Sequence, residues 1–385
     1  MDQTGAISIA GIGLVSCFGE GTEPCVTAMH KGHDGITPLT AIDLSFADKI
    51  KTNQIDRNLF GKGRNGIFAT ISSCIKQALI DAGYDPDKPV EDCALIFGAT
   101  SFLFVGEAEY RMHLEDYGDP SIHTPGSSAD VTIPVAQQFG ITGPVMAIHT
   151  ACSSSANALI IARDMIARGE VKRAIVVGAE GFSAISLGGF YSMMLLDPEG
   201  CHPFDMRRRG LQLGEAYGAV LLDSNNNDSG LTLEGGANLC DIHHVTSASP
   251  DGASMKQVMA DAMTDAGINI GQIVGIKAHG TGSNDNDAAE STAMRIMFNN
   301  VIPDFTVIKR YLGHTLGACG IVELVAFSAC LRAGFMPATA GYKLHDETLV
   351  VSPLTQNVDA VSGHYLLNYF GFGGNYASLV IRHEQ

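Results

Sequence analysis

The sequence predicts an α/β fold, because short apolar runs typical of strands alternate with amphipathic patterns typical of helices. The clearest case is the stretch 143–181. An apolar run at Val145–Ile148 leads through a turn of small residues into a helical pattern that ends at Gly169, and Ala174–Val177 follows as the next strand. This unit, in which a strand turns sharply into a helix, organises the first half of the chain.

The segments before this unit extend the same alternation. Apolar residues recur every three to four positions at Ile67–Ala82, which predicts a helix, and the apolar run at Ala94–Ala99 predicts a strand. Residues 102–125 are aromatic and mixed in charge, and two interpretations are open for them, a mobile cover and part of a subunit contact. Further elements are predicted at Ala6–Ile9 (strand), Pro24–Lys31 (helix) and Val131–Phe139 (helix).

The order of strand, helix and strand begins again after residues 224–230, a linker-like segment rich in Asn, Ser and Asp. The helix predicted at Ala318–Leu331 follows a turn of small residues, as the helix after Cys152 does. We therefore expect two halves, residues 1–223 and 231–385, built on a duplicated α/β unit without a residue-level repeat. The other elements predicted in the second half are Leu231–Gly235 (strand), Ala253–Ala266 (helix) and Ile273–Ala278 (strand).

Composition limits the possible functions. A formal net charge of −17 argues against general binding of nucleic acid or of anionic membrane. No apolar stretch approaches the roughly 18 residues of a membrane span, and no basic segment precedes an apolar one at the N-terminus, so we expect neither a span nor a signal peptide. The nine scattered cysteines form no C-x-x-C pair, so we expect neither a disulfide framework nor a metal site, and we expect a cytoplasmic protein.

Cys152 lies where the strand at Val145–Ile148 turns into the following helix. The unpaired N–H groups and the positive dipole end of that helix favour a thiolate at this position, which suits a nucleophile. The alternative is a small, inert core thiol, since free cysteine is often buried. Local geometry leaves both interpretations open.

Three further motifs decide between them. KAHGTGSND contains His279, IKRYLGHTLGACGIVE contains Lys309, His314 and Glu323, and NYFGFGGNYASLVI ends the chain with a Gly/Phe loop and a strand. Together with TACSSS around Cys152, and in the same order along the chain, these motifs resemble the β-ketoacyl synthase family of thiolase-like condensing enzymes. The resemblance runs from ISIAGIGLVSCFG to ASLVI, covers nearly the whole chain, and implies a five-layer α-β-α-β-α arrangement.

The resemblance implies a decarboxylative condensation with a role for each matching residue. Cys152 would carry an acyl chain as a thioester. His279 and His314 would donate N–H groups to the oxygen of the enolate that forms when a malonyl thioester loses CO₂. Lys309 would support the histidine pair electrostatically, balanced by Glu323.

The remaining matches concern binding. The backbone N–H groups of Cys152 and Phe370 would form an oxyanion hole, and Phe370 and Phe372 would form a gate between the acyl pocket and the active site. Thr281 and Ser283 match the hydroxyl pair that holds a phosphopantetheine arm. Simple core packing is the alternative for the phenylalanines, and ordinary turn chemistry is the alternative for the hydroxyls.

The implied reaction needs no resident cofactor, because the acyl and malonyl groups arrive on the phosphopantetheine of an acyl carrier protein. An acidic carrier would need a basic patch on this acidic chain. Two are available, one formed by Arg57, Lys62 and Arg64 and the other by Arg207–Arg209. Synthases of this fold are dimers, and both a homodimer and a heterodimer with a chain-length-factor-like homologue are open.

The resemblance therefore implies that the protein is a β-ketoacyl-acyl-carrier-protein synthase. Such an enzyme is an acyltransferase of fatty acid, type II polyketide or aryl-polyene synthesis. The alternative is a subunit that mainly determines chain length or acts as a scaffold in a heterodimer. Such subunits usually lack the nucleophile, so Cys152 together with both histidines weighs against this alternative. A thiolase fits less well, because the terminal GFGGN loop carries no second cysteine.

Several positions depart from the family pattern. His149 stands where a small Ser or Thr is usual, Tyr369 replaces a Ser, and Asn375-Tyr376 replaces Thr-Asn. We expect these larger side chains to reshape the substrate pocket. The basic cluster Arg207–Arg209 has two possible roles. We expect that Arg208 forms an ion pair with Asp205 that holds the loop, and the alternative is that the cluster binds a ligand.

Overall fold

Strands and helices alternate through both halves of the chain. The computed structural model describes residues 7–384 except 60, 62, 109–110, 112–126 and 226–228. The strands are β1 (Ile7–Ser16), β2 (Gly19–Glu20), β3 (Ile36–Pro38), β4 (Lys51–Asn53), β5 (Cys93–Gly98), β6 (Val145–Ile148), β7 (Arg173–Glu180), β8 (Ala216–Asp223), β9 (Leu231–Cys240), β10 (Ile273–Lys277), β11 (Phe305–Thr306), β12 (Phe335–Met336), β13 (Val358–Asp359), β14 (Gly363–Phe370) and β15 (Asn375–His383). The helices are α1 (Glu23–His30), α2 (Gly63–Asp81), α3 (Ala129–Gln138), α4 (Ser154–Ala167), α5 (Ala184–Ser192), α6 (Ala253–Asp265), α7 (Asn284–Met297), α8 (Lys309–Leu312) and α9 (Cys319–Arg332).

The two halves build sheets with the same strand order. That order is β6-β5-β7-β8-β1 in the first half and β11-β10-β14-β15-β9 in the second. In each half the first three strands pair in parallel and the last two pairings are antiparallel. A short antiparallel contact between β1 and β9 joins the two sheets along one edge. The repeated order and strand directions confirm the predicted duplication of an α/β unit.

Helices cover both faces of each sheet, which confirms the predicted five layers. Helices α4 and α9 lie between the sheets, where apolar side chains of both helices and of both sheets form one core. Helices α2 and α3 cover the outer face of the first sheet, and α6 and α7 cover the outer face of the second. Among the described residues, no helix is long and apolar enough to cross a membrane.

The two middle helices touch at their N-terminal ends. A Cβ atom on Gly320 would lie 2.1 Å from the backbone nitrogen of Ala156, so only glycine allows this approach. Across the same contact, the Ile321 N–H donates to Ser155 Oγ at 3.1 Å. Because each helix follows a tight turn that carries chemistry-bearing residues, this contact brings the two turns together.

Most predicted elements lie within one to four residues of their observed bounds, and β1 and β9 are the exceptions. β1 runs to Ser16, whereas the sequence predicts its end at Ile9, and β9 runs to Cys240, whereas the sequence predicts its end at Gly235. β1 continues because it pairs with β8 as far as Val15, and β9 continues because it pairs with β15 along its whole length. Of residues 102–125, a helical run covers 103–108, and 109–110 and 112–125 lie outside the described residues.

Candidate functional site

Cys152 lies in a tight turn between β6 and α4 and is 5% exposed. The preceding residue, Ala151, has a φ of 51°, a left-handed conformation that is costly for a residue other than glycine. Neighbouring side chains hold the turn. The Thr150 N–H donates to Ser154 Oγ at 2.9 Å, and the Asn157 amide donates to Thr150 Oγ1 at 2.8 Å. The small polar residues around Cys152 therefore fix the position of its sulfur.

A matching turn precedes α9 in the second half. Leu316 has a φ of 44°, and α9 begins at Cys319 after one 3₁₀ turn. His314 stands just before this turn, and its backbone N–H donates to the Gln212 carbonyl at 2.6 Å. The duplicated fold thus places His314 opposite Cys152 across the contact between the two helices.

A cavity of about 260 Å³ opens at the two turns. It is lined by predicted site residues from four parts of the chain, namely Cys152, His279, Thr281, Ser283, His314, Phe370 and Phe372. The other two predicted residues, Lys309 and Glu323, are not part of the lining and form a buried ion pair. The structure therefore gathers residues that are far apart in the sequence around one cavity.

The two histidines face each other inside the protein. Their ring centroids lie 5.5 Å apart with an interplanar angle of 84°. His279 is fully buried, and in the described part of the chain neither of its ring nitrogens has a hydrogen-bond partner. Its backbone N–H and that of Gly280 both donate to the Glu290 carboxylate at 2.8 Å, which holds the strand end in place. Burial, followed by the positive charge of Lys309, lowers the pKa of both histidines, so both rings are neutral.

Cys319 fixes the orientation of the His314 ring, a contact that sequence reasoning missed. Its sulfur lies 3.0 Å from His314 Nδ1. Burial raises the pKa of Cys319, which is therefore a thiol with an S–H group to donate. Because a neutral imidazole nitrogen accepts hydrogen bonds far better than a thiol sulfur does, we assign the thiol as the donor. The ring proton of His314 then resides on Nε2.

Behind the histidines, one carboxylate is shared by two buried lysines. Lys309 pairs with one oxygen of Glu323, as the sequence predicts, and Lys277 Nζ lies 2.6 Å from the other. Burial alone would raise the pKa of Glu323, but the two lysine charges outweigh it and the pKa is lowered. Lys277 was missed, although a lysine in the otherwise apolar strand IVGIK was a visible signal.

The resting state of Cys152 differs from the expectation. Burial raises the pKa of its thiol to about 11, against the opposing effects of the Phe372 backbone N–H and the Lys309 charge. The prediction that the helix end favours a resting thiolate is therefore wrong, because full desolvation outweighs the effect of one helix end. Cys152 rests as a thiol.

Alkylation kinetics test this resting state. Because the reactive thiolate is a minor species well below the pKa, we expect the rate at which iodoacetamide alkylates Cys152 to rise about tenfold per pH unit from about pH 7 to pH 10. Peptide mass spectrometry would separate this site from Cys240, which is exposed and serves as an internal reference for accessible thiols. A rate at Cys152 that does not change over this range would show that the thiolate is already formed.

The Gly/Phe loop closes over the nucleophile. A Cβ atom on Gly371 would lie 3.0 Å from the Cys152 nitrogen, so glycine allows the loop to approach the turn closely. The Phe372 ring stacks on Phe190 with centroids 5.8 Å apart, and Phe370 packs edge-to-face against His279 at 6.0 Å. Both phenylalanines line the cavity, and Phe370 also packs in the core of the second half.

Thr281 and Ser283 line the same cavity, and their hydroxyl oxygens are 2.9 Å apart. Ser283 is also the N-cap of α7, where its side chain accepts a hydrogen bond from the Asn286 N–H. Turn chemistry and ligand binding are therefore compatible at Ser283. Thr281 also has a local role, because its Oγ1 accepts a hydrogen bond from the Ser283 N–H at 3.3 Å.

Two substitutions separate these contributions. We expect Thr281→Val to raise the KM for a phosphopantetheine thioester about tenfold with little change in kcat, because it removes one hydrogen bond made equally in the ground and transition states. We expect Ser283→Ala to have the same effect and also to lower the free energy of unfolding by about 1 kcal/mol, because the helix loses its cap. Steady-state kinetics and urea unfolding measure both. An unchanged KM in both variants would exclude these hydroxyls from binding.

The departures from the family pattern lie in different environments. Tyr369 is fully buried in the core between the sheets, and its hydroxyl donates to the Gly320 carbonyl at 3.2 Å. It does not line the cavity, so the expectation that it reshapes the pocket is not supported, whereas Tyr376 does line the cavity. His149 is exposed, and its Nδ1 lies 2.8 Å from the Ala99 carbonyl oxygen.

The prediction that Asp205 forms an ion pair with Arg208 is wrong, because each residue pairs with a different partner. Asp205 pairs with Arg207 at 2.7 Å, and Arg208 reaches Asp346 at 2.5 Å. The reason is that residue 207 folds back onto the carboxylate two positions earlier, while residue 208 points to the loop that follows β12. Arg209 pairs with Asp197 at 3.0 Å and also lines the cavity.

The first predicted basic patch is engaged elsewhere. Arg57 pairs with the buried Glu215 at 2.8 Å, and Arg64 donates to the Asp130 carbonyl at 2.5 Å. Lys62 lies outside the described residues. The arginines of the second patch are also ion-paired, and Arg209 is the one described residue of the two patches that lines the cavity.

Comparisons with known proteins agree with this geometry. The family profile "Beta-ketoacyl synthase, N-terminal domain" matches residues 4–227, and "Beta-ketoacyl synthase, C-terminal domain" matches residues 232–343. The chain is 31% identical over 355 residues to Nodulation protein E of Rhizobium meliloti, covering 86% of this chain and 85% of the relative. It is 27% identical over 417 residues to 3-oxoacyl-[acyl-carrier-protein] synthase I, chloroplastic, of Hordeum vulgare, covering 98% and 89%.

Among solved structures, the chain is similar to one titled "The ishigamide ketosynthase/chain length factor". The TM-score is 0.88 at 24% sequence identity, and the match covers 99% of each chain. This similarity establishes the thiolase-like fold, and the sequence matches establish the family. The chain belongs to the β-ketoacyl synthase family and is an acyltransferase.

Proposed function

We propose that this protein catalyses a decarboxylative Claisen condensation between an acyl group held on Cys152 and a malonyl thioester. One observation carries the proposal. His279 is fully buried, both of its ring nitrogens lack partners among the described residues, and it lines a cavity shared with Cys152 and His314. A buried polar group without a partner costs free energy, and such a group is expected where a ligand supplies the partner.

The first step loads the nucleophile. The Cys152 sulfur attacks the carbonyl carbon of an acyl thioester, and the thiol proton passes to the leaving pantetheine sulfur. An S–C bond forms at Cys152 and an S–C bond to the carrier breaks, so the step is a transthioesterification without net change in charge. The backbone N–H groups of Cys152 and Phe370 would stabilise the oxyanion of the tetrahedral intermediate.

The second step forms the carbon nucleophile. The malonyl thioester loses CO₂, and the electron pair of the broken C–C bond becomes an enolate. His279 and the Nε2–H of His314 would donate to the enolate oxygen, a role that suits neutral rings with one N–H each. The enolate carbon then attacks the acyl group on Cys152, and collapse of the intermediate releases a β-ketoacyl thioester and returns the thiolate, which is reprotonated.

Each role is taken by a side chain or a backbone group, so we propose that the reaction needs no resident cofactor. The substrates would arrive on the phosphopantetheine of an acyl carrier protein, with Thr281 and Ser283 along the arm. The nine cysteines are all free thiols, which fits a reducing compartment, and we propose a cytoplasmic location. Residues 1–223 would form the half that carries the nucleophile and 231–385 the half that carries the histidines.

The carrier would dock at the rim beside Arg209, whose side chain is 57% exposed at the cavity. We expect Arg209→Gln to raise the KM for carrier-bound substrates several-fold and to weaken its dependence on salt, because a rim charge steers an acidic partner. The KM for a pantetheine thioester without carrier should not change. A Lys256→Gln variant, altered at an exposed lysine on α6, is the control. Equal effects on both substrates would exclude a carrier contact at Arg209.

A second subunit is part of the proposal, because synthases of this fold act as dimers. It would be an identical chain or a chain-length-factor-like homologue. The alternative function, a chain-length or scaffolding subunit, is disfavoured by the complete set of Cys152 and two histidines around one cavity. Fatty acid, type II polyketide and aryl-polyene pathways would differ in the acyl group that Cys152 accepts.

Intact-protein mass spectrometry tests the loading step and the substrate class together. The protein is incubated with short saturated, long saturated, polyunsaturated and aryl acyl-carrier thioesters, and Cys152→Ala is the control. We expect a mass increase with one class that is absent in the control. No adduct with any thioester, in the presence and absence of a co-expressed homologue, would contradict the proposed function.

A further inference from the structure

None of the roles above uses Lys277, which shares the buried Glu323 carboxylate with Lys309. It is the last residue of β10, two positions before His279, and it is fully buried. Burying an ammonium group without partners costs several kcal/mol, so a lysine persists at such a position only when it is closely paired. The contacts of Lys277 show how it is held there.

Three groups surround the Lys277 ammonium. It donates to Glu323 Oε2 at 2.6 Å and to the Asn368 carbonyl at 2.7 Å. It also lies 3.7 Å from the centroid of the Tyr369 ring, an arrangement typical of a cation–π contact. Tyr369 stands where the family usually has a serine, so this departure supplies the aromatic face against the Lys277 ammonium.

Lys277 changes the charge balance of the site. Glu323 already pairs with Lys309, so the three buried residues Lys277, Lys309 and Glu323 together carry one net positive charge. The charges of Lys309 and Lys277 lower the pKa of both histidines, so the histidines are groups that respond to this charge. The titratable and charged groups around them are Cys152, Glu180, Glu290, Lys309, Cys319, Glu323 and Tyr369.

We propose that Lys277 is a positioning residue for the condensation: with Glu323 and Lys309 it holds a net positive charge near His279 and His314, which adds to burial in keeping both rings neutral and favours an enolate at their N–H groups. This inference rests on the proposed function. In a low-dielectric region, a fixed charge acts over a longer range than in water, and it needs no reorganisation when the anion forms. Lys277 would thus act on the substrate through the electrostatic field and through the histidines.

A consequence is that the site loses this charge at alkaline pH. Burial, opposed by Glu323, lowers the pKa of Lys277 to about 8. Below that pH the ammonium is charged and the enolate is favoured. As the pH rises above about 8, the lysine becomes neutral and decarboxylation should slow, independently of the nucleophile.

Nitrogen-15 NMR of histidine-labelled protein tests the charge effect without any substrate. In the unmodified protein, we expect the His279 and His314 resonances, assigned with single His→Asn variants, not to titrate between about pH 6 and pH 8. In Lys277→Met, the pH at which each ring gains a proton should move upward, while burial and the charge of Lys309, which lower both pKa values more than Lys277 does, remain in place. Lys256→Met removes an exposed lysine on α6 and should change neither resonance. Identical titrations in all three proteins would overturn the proposal.

The pH profile of malonyl-thioester decarboxylation tests the functional consequence. We expect Lys277→Met to lower the rate about tenfold at neutral pH and to abolish the decline above pH 8. Lys277→Gln keeps a hydrogen-bond donor without the charge and should behave like Lys277→Met, whereas Lys277→Arg should restore part of the rate. Full activity in Lys277→Gln would show that hydrogen bonding, and not charge, is what matters, and would overturn the proposal.

Loss of fold and failure of the proposed function can both be told apart from failure of the proposal on Lys277. Thermal unfolding of each variant identifies a loss of fold, and Lys277→Gln replaces Lys277→Met in the NMR experiment should the methionine variant not fold. If the unmodified protein does not decarboxylate malonyl thioesters, the proposed function fails, while the NMR titration still decides whether Lys277 sets the charge state of the histidines.

Discussion

Replacing Cys152 by alanine is expected to abolish the acyl-enzyme and to lower the rate of condensation by about 10⁴-fold or more, because Cys152 is the one cysteine among the described residues that line the cavity. The sulfur is fixed by the turn at Ala151 and faces the cavity, so the loss is chemical and not structural. Intact-protein mass spectrometry measures the adduct, and product analysis measures the condensation rate.

Cys330 offers a matched control for this variant. It is another fully buried thiol in the layer between the sheets, with its sulfur 3.6 Å from that of Met29 and away from the cavity. We expect Cys330→Ala to keep acylation within a factor of about two and to lose only stability, by about 1–2 kcal/mol. Equal adduct formation in Cys152→Ala and in the unmodified protein would show that the nucleophile lies elsewhere.

Replacing His279 by alanine is expected to separate the two half-reactions. Decarboxylation of a malonyl thioester should fall about 10²- to 10³-fold, because one of two donors to the enolate oxygen is lost. Acylation of Cys152 should change by less than about tenfold, because the oxyanion hole of that step consists of backbone N–H groups. Release of CO₂ and the mass of the acyl-enzyme measure the two steps independently.

His279→Asn is the conservative variant for this experiment, and His364→Ala is the control. Asparagine keeps an N–H donor and should retain part of the decarboxylation rate. His364 lies at the start of β14, where it pairs with Glu234 at 2.9 Å, and its loss should leave both steps unchanged. A fall in acylation as large as the fall in decarboxylation would contradict the assignment of His279 to the enolate.

Much of the site could be predicted because its residues lie at the ends of strands and helices, and the sequence pattern predicts those strands and helices. Cys152 follows an apolar strand and precedes a helix, and His279 follows the apolar run of β10. Tight turns at these ends need small or polar residues, so the motifs were visible without a structure. The match of four motifs in order then indicated which chemistry these positions perform.

The remaining features depend on the folded geometry. The pKa of Cys152 is set by burial under the Gly371 loop, and the hydrogen bond between Cys319 and His314, five residues apart, depends on the 3₁₀ turn that lies between them. Lys277 and Tyr369 lie 92 residues apart in the sequence, and only the pairing of β10 with β14 brings them together. Local propensity carries no information about such pairs, and the exchange of ion-pair partners around Asp205 has the same origin.

The most direct test of the condensation is to count its products. The enzyme is given an acyl-carrier thioester that loads Cys152 together with a malonyl-carrier thioester labelled with ¹³C at the free carboxylate. We predict one labelled CO₂ released for each β-ketoacyl-carrier formed, over many turnovers, and neither product with Cys152→Ala. Loading of Cys152 without release of labelled CO₂, or CO₂ release without a new carbon–carbon bond, would contradict the proposal that Cys152, His279 and His314 form one condensing site.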